Sequence, residues 1–261
     1  MSKLLNYKLE GKRTSSVILL LHGLFGNLDN LGILSRNFKQ HYQTLSVDLR
    51  NHGLSFHSNI HNYEIMAKDV VTLLMHLDFD HIHIIGHSMG GKVAMKVATL
   101  IEKKISTLII LDISPVQYFR KQDDNMLKGL LLIKQQKLDN RSKALKILAE
   151  YIKEQSIRQF FNKSLYLNNK GIICWRFNID AINNNYESIL GWKSISLISI
   201  PTIFIKGANS DYILPKHKEN IQKQLSNSEI HSISNTGHWL HVENPIQIIK
   251  IIQNFIKKIV N

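Results

Sequence analysis

One cysteine and four prolines are all that 261 residues contain of either type. A lone thiol, Cys174, excludes an intrachain disulfide, and a reducing cytoplasm is the expected location. The scarcity of proline, with no low-complexity tract and no internal repeat, excludes Pro-rich linkers and solenoid arrays. No apolar run is long enough to span a bilayer. The polar stretch from Met1 to Ser16 lacks the apolar core of a secretory signal. Acidic residues are also few: 20 against 33 Lys and Arg, for a formal net charge of +13. Such a balance suits nucleic acid, anionic membrane or acidic substrates. Yet only seven of the basic residues are Arg. The lysines are scattered, and no basic run is interleaved with aromatics as in nucleic-acid platforms. Ile, Asn and Lys share AT-rich codons, so the charge reads as solvated lysines and no nucleic-acid partner is expected. An anionic substrate such as an acyl-CoA is the second reading.

What is present is enough apolar residue, 44%, for one large α/β domain with an insertion. The chain is organised around His81-Ile82-His83-Ile84-Ile85, then Gly86-His87-Ser88-Met89-Gly90-Gly91, then Lys92 to Ala98. This reads as a buried strand, a Gly-x-Ser-x-Gly turn and a helix. A strand that turns straight into a helix strains its turn residue and exposes a hydroxyl at the sheet's carboxyl edge. The flanking glycines let strand and helix approach. Ser88 would then sit at a helix amino end, which favours negative charge. A plain N-cap serine would not require glycines on both sides, so Ser88 is the candidate nucleophile.

The remainder supplies the frame. Asn6–Glu10 reads as an edge strand and Ser16–Leu21 as a central parallel strand. A helical segment is expected over 28–41, a strand over Thr44–Val47, a helix over Tyr63–Leu77 and a strand over Leu108–Leu111. From 118 to 190 helical spacing dominates, as in 125–134 and 142–153, and strand signals largely vanish. Strands return at Thr202–Ile205 and Glu229–Ile233, with helices at Pro215–Leu225 and from Pro245 to Ile259. Alternating strands and helices imply a mostly parallel sheet with helices on both faces. The expected domains are a core of 1–117 and 191–261 and a helical cap of 118–190.

A serine hydroxyl needs a base within hydrogen-bond reach, usually a His oriented by an acid. Of thirteen histidines, His238 follows the last expected strand, in Gly237-His238-Trp239, and is late enough for the chain order Ser, acid, His. His241 is the near alternative, expected on the surface; His81 and His83 are expected to be structural or exposed. The acid is Asp112, after Leu108–Leu111, or Asp211, after Thr202–Ile205; spacing does not decide. Asp48, Asp180 and Glu243 are weaker, Asp48 being better suited to holding the turn before Asn51-His52-Gly53. A tetrahedral intermediate needs two N–H donors. These are expected from Met89, after the nucleophile, and from Leu24, in the His22-Gly23-Leu24-Phe25-Gly26 loop.

Together the segments 21–27, 48–55, 86–92, 112–115 and 237–239 resemble the α/β-hydrolase superfamily, most closely the YbfF-type bacterial esterases and their mitochondrial relatives. The resemblance implies an α/β-hydrolase fold with a helical cap. It implies a serine esterase for acyl esters, with acyl-CoA thioesters as further substrates, and neither cofactor nor metal. Many superfamily members carry the acid three residues after a glycine at the end of the later strand; here that place, counted from Gly207, is Ser210. The YbfF-like group instead uses the Asp of a segment matching Asp112-Ile113-Ser114-Pro115, so the resemblance favours Asp112. The alternatives are a carbon–carbon bond hydrolase of the same fold and a ligand-binding protein on this scaffold. Tyr118, Phe119, Phe160, Phe161, Trp175 and Phe177 either line an acyl pocket or form the cap's own core.

Overall fold

The computed structural model describes residues 3–14, 16–119 and 123–260. Positions 1, 2, 15, 120–122 and 261, part of the expected core and insertion, lie outside the described residues. The strands are β1 (Tyr7–Glu10), β2 (Ser16–Leu21), β3 (Gln43–Val47), β4 (His81–His87), β5 (Ile105–Leu111), β6 (Leu165–Leu167), β7 (Ile173–Trp175), β8 (Thr202–Gly207) and β9 (Ser228–Ile233). Seven of them form one sheet in the order β1-β3-β2-β4-β5-β8-β9. β1 is antiparallel to β3 and every other pairing in that sheet is parallel.

The central strands are continuous apolar runs because helices cover both faces. Alternate residues go to opposite sides. Val17, Leu19, Leu21 and Ile84 join one core with helices α2 (Tyr63–Leu77) and α3 (Met89–Leu100). Ile18, Leu20, Ile109 and Ile205 join the other with α1 (Gly32–Phe38) and α11 (Pro245–Val260). Helix α2 starts where Asn62 accepts from the Ile65 N–H and stops at the left-handed Asp78 (φ 57°), a side-chain cap and an αL stop that the sequence encodes locally. Helix α1 is shorter than the expected 28–41. Asn30 Oδ1 accepts from the Asn27 N–H and Asp48 Oδ1 from the Leu28 N–H, so side chains hold 27–30 as a loop.

Between β5 and β8 the chain forms α4 (Asp123–Gln135), α5 (Arg141–Tyr151), α6 (Gln155–Ser164), α7 (Ile179–Asn184) and α8 (Tyr186–Leu190). This segment has its own apolar cluster, including Leu130, Leu148, Phe161, Trp175 and Phe177, with Phe25 of the β2 loop packed into it. It also holds the antiparallel pair β6–β7. That pair was hidden in the sequence because three-residue strands show no alternation; its turn depends on Asn168 and on Gly171 at φ 71°. Helices α9 (Lys218–Gln224) and α10 (Leu240–Glu243) complete the fold. Among the described residues no helix is long and apolar enough to cross a membrane.

Candidate active site

Ser88 stands between β4 and α3 at φ 51°, ψ −120°, a conformation that L residues reach only when their surroundings impose it. The surroundings here are backbone. A Cβ on Gly86 would lie 2.4 Å from the Gly90 carbonyl oxygen, and one on Gly90 would lie 2.2 Å from that of Leu21. Strand β2, strand β4 and α3 therefore meet at van der Waals limit, and only glycine fits.

Three side chains from distant parts of the sequence converge at this turn. His238, in the loop after β9, places Nε2 3.0 Å from Ser88 Oγ. Its Nδ1 lies 2.7 Å from Asp112 Oδ2. With Nδ1–H donating to the carboxylate, Nε2 is left to accept from the serine hydroxyl. Asp112 follows β5, is fully buried and also holds a positive φ of 51°. Its Oδ1 accepts from the Gly207 N–H at 3.1 Å, and its Oδ2 also accepts from the Ser210 hydroxyl. Asp211, the other candidate, is exposed. Asp48 is spent on the turn, accepting from the N–H groups of Leu28 and Leu54. Asp180 pairs with Lys134 at an exposed position, and Glu243 accepts from the Gly237 N–H.

Helix α3 begins at Met89, so the Met89 N–H is one of the first-turn donors that a helix leaves without an internal acceptor. Leu24 and Met89 both line a cavity with Ser88. Two histidines shape the Leu24 loop. His52 Nε2 accepts from the Phe25 N–H at 3.1 Å, and His22 Nε2 accepts from the Leu49 N–H at 3.0 Å. Each ring then donates through Nδ1, to the carbonyls of Arg50 and Gly23 respectively. Burial holds both imidazoles below their ordinary pKa, which keeps them neutral and able to accept.

One expectation is corrected. His241 is not on the surface: it is buried, its ring 4.4 Å from that of His87, and burial with the nearby His238 lowers its pKa to about 3. The Trp239 ring lies 6.2 Å from it. His83 is buried against the Thr107 hydroxyl and His81 is exposed. His87 donates from Nε2 to the His238 carbonyl at 2.9 Å and so ties the turn to the His238 loop.

Two further residues escaped the sequence reading. Tyr212 stacks on the His238 ring at 3.9 Å and 16°; nothing in the sequence signals it. Lys92, four residues after Ser88, is fully buried. Its Nζ donates to the Gly191 carbonyl at 2.9 Å and lies within 4.8–5.6 Å of the ring centres of Tyr118, Tyr63 and Trp192. Burial lowers its pKa to about 7. Its one signal is that Lys92 and Lys96, one helical turn apart, are the charged residues of an otherwise uncharged helix. Of the aromatics singled out between 118 and 190, Phe161, Trp175 and Phe177 are core, Phe119 is exposed, Tyr118 lines the Ser88 cavity and Phe160 rests on Trp239 at 4.6 Å. Among the described residues no group of three or more His, Cys, Asp or Glu side chains could hold a metal ion.

This strand order, turn and side-chain convergence are those of a hydrolase built on an α/β sheet. The chain belongs to the family described as alpha/beta hydrolase fold, whose pattern matches residues 16–245. It is 42% identical to a putative esterase/lipase of Haemophilus influenzae, over 98% of this chain and 89% of that one. It is 34% identical to esterase YbfF of Escherichia coli, over 95% of each. Among solved structures, a marine microorganism esterase superposes with a TM-score of 0.92 at 31% identity, covering 97% of this chain and all of that one. These similarities place the chain among the ester hydrolases of the family.

Proposed function

We propose that the chain hydrolyses carboxylic esters through a Ser88–His238–Asp112 triad and an acyl-enzyme intermediate. The observation that carries this reading is the unbroken path from Ser88 Oγ to His238 Nε2 (3.0 Å) and from His238 Nδ1 to Asp112 Oδ2 (2.7 Å). His238 takes the hydroxyl proton as Ser88 Oγ attacks the ester carbonyl carbon. The tetrahedral oxyanion accepts from the Leu24 and Met89 N–H groups. Collapse breaks the bond to the leaving alcohol, which takes the proton from His238. Water then attacks the acyl-serine, giving its proton to His238, and Ser88 recovers that proton as the free acid departs. Buried Asp112 holds the imidazole tautomer and stabilises the imidazolium. Thioesters are open to the same steps, with a thiol as leaving group. Residues 118–190 act as the cap over Ser88, and a single half-buried cysteine suits a reducing compartment such as the cytoplasm.

A fluorophosphonate probe tests the nucleophile directly. It should add covalently to Ser88, located by peptide mass, and Ser88→Ala should take up no label and hydrolyse no p-nitrophenyl ester. Labelling elsewhere, or undiminished hydrolysis by Ser88→Ala, would remove Ser88 from the reaction.

A further inference from the structure

The loop that carries Leu24 runs against the nucleophile turn. A Cβ on Gly23 would lie 3.3 Å from Ser88 Cβ and 3.0 Å from His87 Nδ1, so any shift of the loop changes where the Leu24 N–H stands relative to Ser88. The loop has little internal support. The Gly26 N–H closes one turn on the Gly23 carbonyl at 3.1 Å. Phe25 stands in the left-handed region at φ 61°, which a bulky residue keeps only where its surroundings impose it.

Those surroundings reach Phe25 from two distant segments. On the backbone side, His52 Nε2 accepts from the Phe25 N–H at 3.1 Å. The His52 ring is fully buried and donates through Nδ1 to the Arg50 carbonyl at 2.9 Å, so it cannot turn away without breaking a bond. On the side-chain side, the Phe25 ring packs against Phe177 and Phe161, with ring centres 4.9 and 5.4 Å away. Both belong to the insertion between β5 and β8. The two anchors are also joined to each other. The Gly53 N–H donates to the Arg176 carbonyl at 2.7 Å and the Asn178 N–H to the Asn51 carbonyl at 2.8 Å. These bonds form an antiparallel bridge with His52 opposite Phe177. In such a non-hydrogen-bonded pair the side chains lie closest and on the same side. His52 and Phe177 therefore grip Phe25 together, one by its N–H and the other by its ring.

We infer that His52 and Phe177 are positioning residues for the oxyanion donor: acting through Phe25, they fix the Leu24 N–H, so the insertion helps to build the catalytic site. This rests on the triad reading with Leu24 as a donor. A bond to the oxyanion is strongest in the transition state, so its misplacement costs rate more than substrate binding.

The test uses the full chain, p-nitrophenyl butyrate and the ketone 1,1,1-trifluoro-2-pentanone. Ser88 Oγ adds to the ketone carbonyl carbon, His238 takes the hydroxyl proton, and the hemiketal oxyanion then rests on the Leu24 and Met89 N–H groups. His52→Leu leaves the buried Phe25 N–H without an acceptor. It should lower kcat/KM on the order of 10²-fold and raise the inhibition constant of the ketone by the same factor. His52→Gln, whose Oε1 accepts, should recover most of both. Phe177→Leu should shift both in parallel, on the order of tenfold. Simple loss of folded enzyme lowers the measured rate but leaves the inhibition constant unchanged, and that result would overturn the inference. So would a His52→Leu or Phe177→Leu enzyme within about twofold of wild type in both constants. One measurement needs no variant: the wild-type Phe25 amide should exchange with deuterium as slowly as the amides of β2, and rapid exchange would overturn the inference. Hydrolysis that Ser88→Ala abolishes but His52→Leu leaves intact overturns this inference alone. A folded wild type that neither cleaves the ester nor binds the ketone ends the triad reading, and this inference with it.

Discussion

The hydroxyl of Ser210 donates to Asp112 Oδ2, the same oxygen that faces His238 Nδ1. Ser210 occupies the place where many members of the superfamily carry the acid, three residues after Gly207. A carboxylate from the neighbouring strand β5 reaches the imidazole instead, and the residue at the usual place supports it. Asp112→Asn should lower kcat by about 10⁴-fold, because the amide no longer fixes the imidazole tautomer. Ser210→Ala removes one donor to a buried carboxylate and should cost on the order of tenfold. Asp211→Asn should stay near wild type. Steady-state hydrolysis of one p-nitrophenyl ester ranks the three; a dead Asp211→Asn beside an active Asp112→Asn would reverse the assignment.

The buried ammonium of Lys92 makes stability depend on alkaline pH. Its folded pKa of about 7 lies below that of the unfolded chain, near 10.4 for lysine. Between these values the unfolded state binds more protons, so stability rises as pH rises from about 7 toward 10. Below pH 7 the full cost of the buried charge is present. Lys92→Met keeps the length and removes the charge. Relative to wild type its Tm should be highest at pH 6, and that advantage should shrink steadily by pH 9.5. A difference that does not change with pH would mean that Lys92 does not titrate in this range.

Acid acts on the buried imidazoles. Burial lowers the pKa of His83 to about 4, and of His61 and His241 to about 3. Their unfolded values lie near 6.5, so below that pH the unfolded chain takes up protons that the fold refuses. Stability is therefore lost as pH falls from about 6.5 toward 4. Thermal melts over this range should show Tm dropping with decreasing pH. His83→Gln keeps a partner for the Thr107 hydroxyl and should flatten that dependence by up to about one proton.

Gly90→Ala should damage the turn more than its size suggests. The added methyl would lie 2.2 Å from the Leu21 carbonyl oxygen and 2.6 Å from that of His22. Both are backbone atoms of the β2 end that carries the Leu24 loop. A cost of about 3 kcal/mol is expected, read as a drop in denaturation midpoint, together with loss of hydrolysis as the Leu24 and Met89 donors separate. A stable, fully active variant would show that this approach is not tight in solution.

Much of the fold is legible in local signals. Ser16–Leu21 shows as a two-sided apolar run and Tyr63–Leu77 as a periodic helix, and both match the structure at their ends. Helix α1 and the hairpin β6–β7 are less legible for opposite reasons. Long-range bonds from Asp48 shorten the first, and the second is too short to show a period. Ser88 and His238 follow from strand-end motifs, whereas His241 misleads because its burial comes from α10 folding back over His87, a contact with no local signature.

By itself the sequence determined the strand–turn–helix at Ser88, the glycines that permit it, the seven strands of the main sheet in their chain order, and the set of residue types available for chemistry. These are local preferences of backbone and hydrophobic period, so they are written where they act. Tertiary structure alone brought Asp112 Oδ2 to 2.7 Å from His238 Nδ1 and left Asp211 exposed. Two adjacent parallel strands, β5 and β8, present carboxylates at one sheet edge, and only the register of their loops brings one within 2.7 Å of His238. It also decided that Lys92 and His241 are buried. Those facts depend on contacts far apart in the chain, Lys92 with the Gly191 carbonyl and His241 with His87.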